Sequence, residues 1–299
     1  MTTGVTDRQR YLADISLFLV TIIWGLSFTI LKNVLEEQLS PIFFVFLRFL
    51  VASIIVYPFC AKSLKKLGKE GFIGGVVIGG LLFFGFATQS IGIQFTSASK
   101  SAFITGLAAL FVPVSLFLHK RKSPGAINGL AIMGAMFGMY LLTDPAGGGL
   151  NRGDFLTLLC AAAFGAQIYV LGVVAPGKDF LALTFVELVT TMILAGIFLP
   201  FENIRAQMTL NSVGAILFLG ILGTAVTLLV QNWAQQRTSA VKAGLIFTAE
   251  PVFAYMFASV LLDDYFNPIQ KVGGILIVLA VIASEIVPLI LSRKRNISA

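Results

Sequence analysis

Charge is what this sequence has least of: 12% of its 299 residues are Asp, Glu, Lys or Arg, about half the share found in soluble domains. A soluble chain so poor in charge, and 57% hydrophobic, would have to hide more apolar surface than one core can take. That excludes an ordinary globular domain and makes lipid the solvent for most of the chain. Histidine is nearly missing too, with His119 alone, and both cysteines, Cys60 and Cys160, fall inside apolar runs. So few ligands assemble no Cys/His metal cluster, and the sequence contains no Walker loop and no G-x-S-x-G turn. No cofactor and no metal are expected, and an ATP-driven pump would need its nucleotide-binding domain from another chain. The net charge of +7 is no nucleic-acid footprint, because Lys and Arg sit in short clusters between apolar runs.

What is present is a succession of apolar runs, each about the 20 residues a bilayer needs. Spans are expected at 12–33, 40–60, 71–94, 97–118, 124–142, 153–173, 180–200, 210–233, 239–261 and 268–291. Ser40-Pro41, Ser123-Pro124 and Asn267-Pro268 each put proline at a helix start, where its missing N–H costs nothing. Arg8 and Arg10 precede the first run as in a signal peptide, but that run is too long and lacks a small-residue cleavage site. It reads as an uncleaved first helix.

With the N-terminus in the cytoplasm, fourteen of the 21 Lys and Arg fall on that side. Five fall on the other, Lys32, Lys100, Arg152, Arg205 and Lys271, while Arg48 and Lys242 lie within spans. The positive-inside rule then sets both termini inside, which requires an even number of spans. The expected location is the cell inner membrane, crossed many times.

The chain also repeats itself. The segment Gln89 to Lys100 matches Gln231 to Lys242 at a constant offset, sharing Gln89/Gln231, Gln94/Gln236 and the run Thr-Ser-Ala-x-Lys. Trp24-Gly25 sits opposite Phe164-Gly165 at nearly the same offset. The domains expected are a tail at 1–11, a five-helix repeat at 12–142, a Gly-rich linker at 143–152, a second repeat at 153–291 and a basic tail at 292–299. Five spans is an odd number, so the second copy enters the membrane from the opposite side. Inverted halves place a substrate site near the midplane, open to either side in turn. The fold class is therefore an all-α polytopic membrane protein of ten transmembrane helices, built as two inverted repeats.

Several segments resemble the EamA-type families of the drug/metabolite transporter superfamily. Ile23-Trp24-Gly25-Leu26-Ser27-Phe28 is similar to the first-helix Trp-Gly-x-x-Phe signature, and Phe46-Leu47-Arg48-Phe49 to the second-helix Leu-Arg-Phe element. The stretch from Thr96 to Pro113 and the run Ala249-Glu250-Pro251-Val252-Phe253-Ala254 are also family-like. The resemblance covers nearly the whole chain. It implies secondary transport of a small organic metabolite, commonly the export of amino acids or related compounds. A facilitative carrier or exchanger of drug-like or sugar metabolites is the alternative within transport. A channel or an intramembrane enzyme is the alternative outside it. The partners expected are a small-molecule substrate, the lipid bilayer and protons as coupling ion, with no nucleic acid.

Charges inside spans are the sharpest candidates, since each costs about 2.5–3.5 kcal/mol at a helix centre even on a lenient scale. Glu250 reads as a ligand for a substrate ammonium or as a proton carrier, or else as a structural carboxylate paired with Lys242 or Arg48. Arg48 binds a carboxylate or locks helices together. Glu187 is a gate or a helix-pairing group, and Lys242 snorkels to the headgroups or partners Glu250. Trp24 and Tyr169, at similar depths in the first helices of the two halves, stack on a substrate or pack between helices. Gln89, Gln231 and Asn232 line a polar path or bond between helices. Pro113 and Pro251 are expected to interrupt equivalent helices.

Overall fold

A computed structural model describes residues 6–37, 39–121, 125–144 and 149–297. The Ser123-Pro124 helix start, residues 145–148 of the Gly-rich linker and the two extreme ends lie outside the described residues. Among those described there is no strand, only one isolated bridge between Leu39 and Ala206.

The first half contributes α1 (Asp7–Glu37), α2 (Pro41–Cys60), α3 (Gly68–Gly92), α4 (Ala98–Lys120) and α5 (Gly125–Leu142). The second contributes α6 (Arg152–Val174), α7 (Phe180–Phe198), α8 (Leu210–Gln235), α9 (Ala240–Leu261) and α10 (Pro268–Ile297). Eight of these are long and apolar enough to cross a bilayer, and α5 and α10 add shorter apolar stretches at Gly129–Leu142 and Pro268–Ala283. Capping fits the sequence at the starts. Ser97 accepts a hydrogen bond from the Lys100 backbone N–H and Ser239 from that of Lys242, satisfying amide groups that would otherwise be orphaned.

The two halves do not fold side by side; they interleave. The dominant packing joins α3 to α6 and α7, α2 to α7 and α8, α1 to α8 and α9, α4 to α6 and α9, and α5 to α10. Each of these pairings has a mate under exchange of the halves. The mates extend to single residues. A side-chain carbon on Gly25 would lie 2.7 Å from Cβ of Phe253, and one on Gly165 would run into Cβ of Phe111. Only glycine lets the first helix of each half press onto the fourth helix of the other, which is the physical content of the Trp-Gly/Phe-Gly repeat. Gln94 donates to the Leu35 carbonyl at 3.4 Å, and Gln236 to the Ala175 carbonyl at 3.1 Å.

Two helices are broken in mid-span, one of them immediately before its proline, Pro251, and the other well before Pro113. In α4 the helix stops at Gly106 and resumes at Ala108. In α9 it stops at Phe247 and resumes at Glu250. Gly106 and Thr248 are matched positions in the register that pairs Gln89 with Gln231, so the breaks are equivalent. Pro113 lies inside the resumed helix, while Pro251 sits in the first turn of its own, next to Glu250. Tight i→i−3 hydrogen bonds, Leu107 to Ile104 and Thr248 to Leu245, carry the chain across each break. The breaks meet, because a side-chain carbon on Gly106 would lie 2.7 Å from Pro251.

Candidate substrate cavity

The breaks open onto a cavity on the pseudo-two-fold axis. Its volume is about 60 Å³. It is built from mated positions. Trp24 and Phe164 line it, as do Gln89 and Gln231, Ser27 and Gln167, and Phe86 and Leu228. The polar groups are few and the walls are aromatic, which is the usual make-up of a small-molecule site.

Two charged residues break the symmetry. Glu250 sits in the first turn of the resumed half of α9, where the positive end of the helix favours an anion. Its equivalent in the first half is Ala108, which also lines the cavity. Arg48 comes from α2 and is buried, 2% exposed. Among the described residues neither forms an ion pair, with the other or with any third group.

A widened turn in α8 holds Arg48 in place. Residues Ile221–Val226 form a π-helical segment, a single widened turn of the kind found mostly at functional sites. Arg48 Nη2 donates to the Gly223 carbonyl at 2.8 Å, and its Nε donates to the Thr224 hydroxyl. The guanidinium also lies 4.6 Å from the Phe86 ring centroid. The same turn takes the indole N–H of Trp24, which reaches Thr227 Oγ1 at 3.1 Å and the Gly223 carbonyl at 3.3 Å. Trp24 stacks at a tilt on Phe247, 5.1 Å between centroids.

Of the residues singled out from sequence, Glu250, Arg48, Trp24, Gln89 and Gln231 come together here. Gln167, Thr105, Phe164 and Phe247 join them. Gln167 and Phe164 were discoverable as the repeat mates of Ser27 and Trp24, both in the Trp-Gly segment. Gln231 donates to Gln167 at 3.2 Å and to Gln235 at 2.9 Å, leaving Gln167 Nε2 and Gln231 Oε1 without a partner among the described residues.

Four candidates lie elsewhere. Glu187 and Asn232 are fully buried against each other between α7 and α8, joined at 3.0 Å. Tyr169 turns its hydroxyl to His119 Nδ1 at 3.0 Å. Lys242 pairs with Asp14 of α1 rather than with Glu250. Among the described residues, no group of three or more His, Cys, Asp or Glu is gathered that would hold a metal ion.

Two interleaved, inverted five-helix halves around a cavity lined from both define a transporter class of membrane protein. The EamA-like transporter family matches twice, over residues 11–144 and 151–284, and the chain belongs to that family. An "uncharacterized transporter" of Archaeoglobus fulgidus is 30% identical over 279 residues, covering 93% of this chain and 87% of that protein. The "uncharacterized transporter YoaV" of Bacillus subtilis is 21% identical, covering 86% and 91%. A solved crystal structure superposes with a TM-score of 0.69 over 96% of this chain and 99% of the other. At 14% identity that likeness speaks for the fold.

Proposed function

We propose that this protein exports a small zwitterionic or polar metabolite, such as an amino acid, by alternating access, with both termini in the cytoplasm and protons as the coupling ion. The observation that carries this reading is the pair of uncompensated charges in one cavity. Glu250 supplies a carboxylate for a substrate ammonium, with the rings of Trp24, Phe164 and Phe247 around it. Arg48, already fixed by the widened turn of α8, presents its remaining N–H groups to a substrate carboxylate. Free Gln167 and Gln231 amide atoms provide polar contacts between them. A substrate bearing both charges satisfies both residues at once, whereas a neutral or singly charged one leaves a buried charge unpaired. In this reading Glu250 binds the substrate cation and the coupling proton by turns.

The test is a thermal-shift screen of the purified protein against amino acids, sugars, nucleotides and cationic drugs, followed by proteoliposome uptake of each stabilising compound. Stabilisation and saturable uptake of an amino acid, both lost in Arg48→Ala, is the expected result. Stabilisation without movement across the bilayer, or conversion of the compound into a product, would overturn it.

A further inference from the structure

The repeat explains the Thr-Ser-Ala-x-Lys motif, for each copy ends in a lysine that forms an ion pair with the opposite half. Lys100 Nζ in α4 meets Asp154 Oδ2 in α6 at 2.8 Å. Lys242 Nζ in α9 meets Asp14 Oδ2 in α1 at 2.5 Å. The lysines are mates in the register of the motif, and the aspartates are mates in the register of the Trp-Gly segment, so these are one interaction made twice. Because the halves are inverted, the first pair lies at the linker end of the bundle and the second at the end where α1 begins. Each ties the broken helix of one half to the first helix of the other, one on either side of the cavity.

The two pairs are not in the same state. At the linker end Asp154 is fully buried and the Lys100 side chain 10% exposed. The second oxygen of Asp154 accepts from the Thr96 hydroxyl at 2.8 Å. Nearby, the Ser99 amide donates to Asp264 at 2.8 Å, and Gly92 and Gly153 bring the end of α3 against the start of α6. At the opposite end the Lys242 side chain is 50% exposed. There Asp14 Oδ1, the counterpart of the oxygen that Thr96 satisfies, has no partner among the described residues. One end is fully latched and the other partly.

We infer that Lys100–Asp154 and Lys242–Asp14 are the two gates of the transport path, closing opposite ends of the cavity in alternation. The inference rests on the alternating-access reading above. Opening an end pulls the broken helix from the first helix of the other half, and the ion pair is what must part. In this structure both pairs are formed, the linker-end pair the more deeply buried of the two.

The test places one reporter, Ala109→Cys in the cavity wall, in full-length protein whose Cys60 and Cys160 have been replaced. An impermeant maleimide is applied from each face of right-side-out and inside-out vesicles, with exposed Leu150→Cys marking the linker face. Lys100→Met should raise reporter labelling from the linker face by roughly tenfold, the ratio set by about 1.4 kcal/mol of lost closed-state preference. Lys242→Met should raise labelling from the opposite face and lower it from the linker face. The swapped pair Lys242→Asp with Asp14→Lys, at the more exposed end, should return labelling to the starting pattern.

Both lysine variants shifting labelling in the same direction, or neither shifting it, while the unaltered gates still allow labelling from both faces, overturns the gate assignment alone. Labelling confined to one face in every variant overturns alternating access and the gates with it.

Discussion

Glu250 and Arg48 occupy a cavity most of whose other lining residues come in mated pairs, and in the proposed function that asymmetry gives the site its chemical direction. A symmetric cavity would offer the same groups to both ends of a substrate. Here α9 carries a carboxylate where α4 carries Ala108, and α2 alone delivers a guanidinium. Glu250→Gln keeps the size and removes the charge. We expect its residual uptake in proteoliposomes to be flat with pH, where the wild-type rate varies; an unchanged pH profile would remove Glu250 from proton coupling. Glycine is the other residue-scale determinant. In Gly165→Val the added carbon would run into Phe111 Cβ, an overpacking worth about 1–3 kcal/mol. The expected outcome is a lower unfolding midpoint in detergent, with Gly25→Val behaving alike.

At the scale of elements, the widened turn in α8 and the breaks in α4 and α9 convert ordinary spans into site-forming ones. That turn gives Arg48 the Gly223 carbonyl and the Thr224 hydroxyl as acceptors, in a place where an unmet hydrogen bond costs about 1–3 kcal/mol. Thr224→Val removes one of its two acceptors while keeping the shape. We expect it to weaken substrate stabilisation in a thermal-shift titration more than it lowers the unfolding midpoint of the free protein; an equal loss of both would assign Thr224 to packing alone. These features were hidden from the sequence for a physical reason. A π turn has no residue signature in Ile221–Val226, and its use depends on Arg48, some 175 residues away. The breaks fall at Leu107 and Thr248–Ala249, whereas proline drew attention to Pro113, which the resumed helix accommodates. The helix starts were plain to read, since a Ser cap and a proline at the first turn act locally.

At the scale of the whole molecule, hydropathy and the repeat carried the architecture, because lipid constrains every span and the nearly constant offset between the copies constrains their pairing. The cavity was half legible. Glu250, Arg48, Trp24, Gln89 and Gln231 stood out as polar, charged or aromatic groups in apolar runs. Tyr169 stood out equally and faces His119 instead, because depth along a helix does not fix which side of it a residue takes. Lys242 finds Asp14 at a separation of 228 residues, a pairing that only the interleaving of halves creates. Interleaving also means that neither half has a core of its own, since the principal helix pairs join one half to the other. Either half expressed alone is expected to yield no monodisperse species by size exclusion, and co-expression of the two to restore one.

That opposed charges in a midplane cavity carry one small solute across the bilayer by alternating access is tested most directly by counterflow. Proteoliposomes preloaded with an unlabelled amino acid found to stabilise the protein are diluted into the same compound in labelled form. Transient accumulation of label above its equilibrium level, saturating with concentration and absent in Arg48→Ala, is the predicted result. Label that enters in linear proportion to concentration and never overshoots would contradict it.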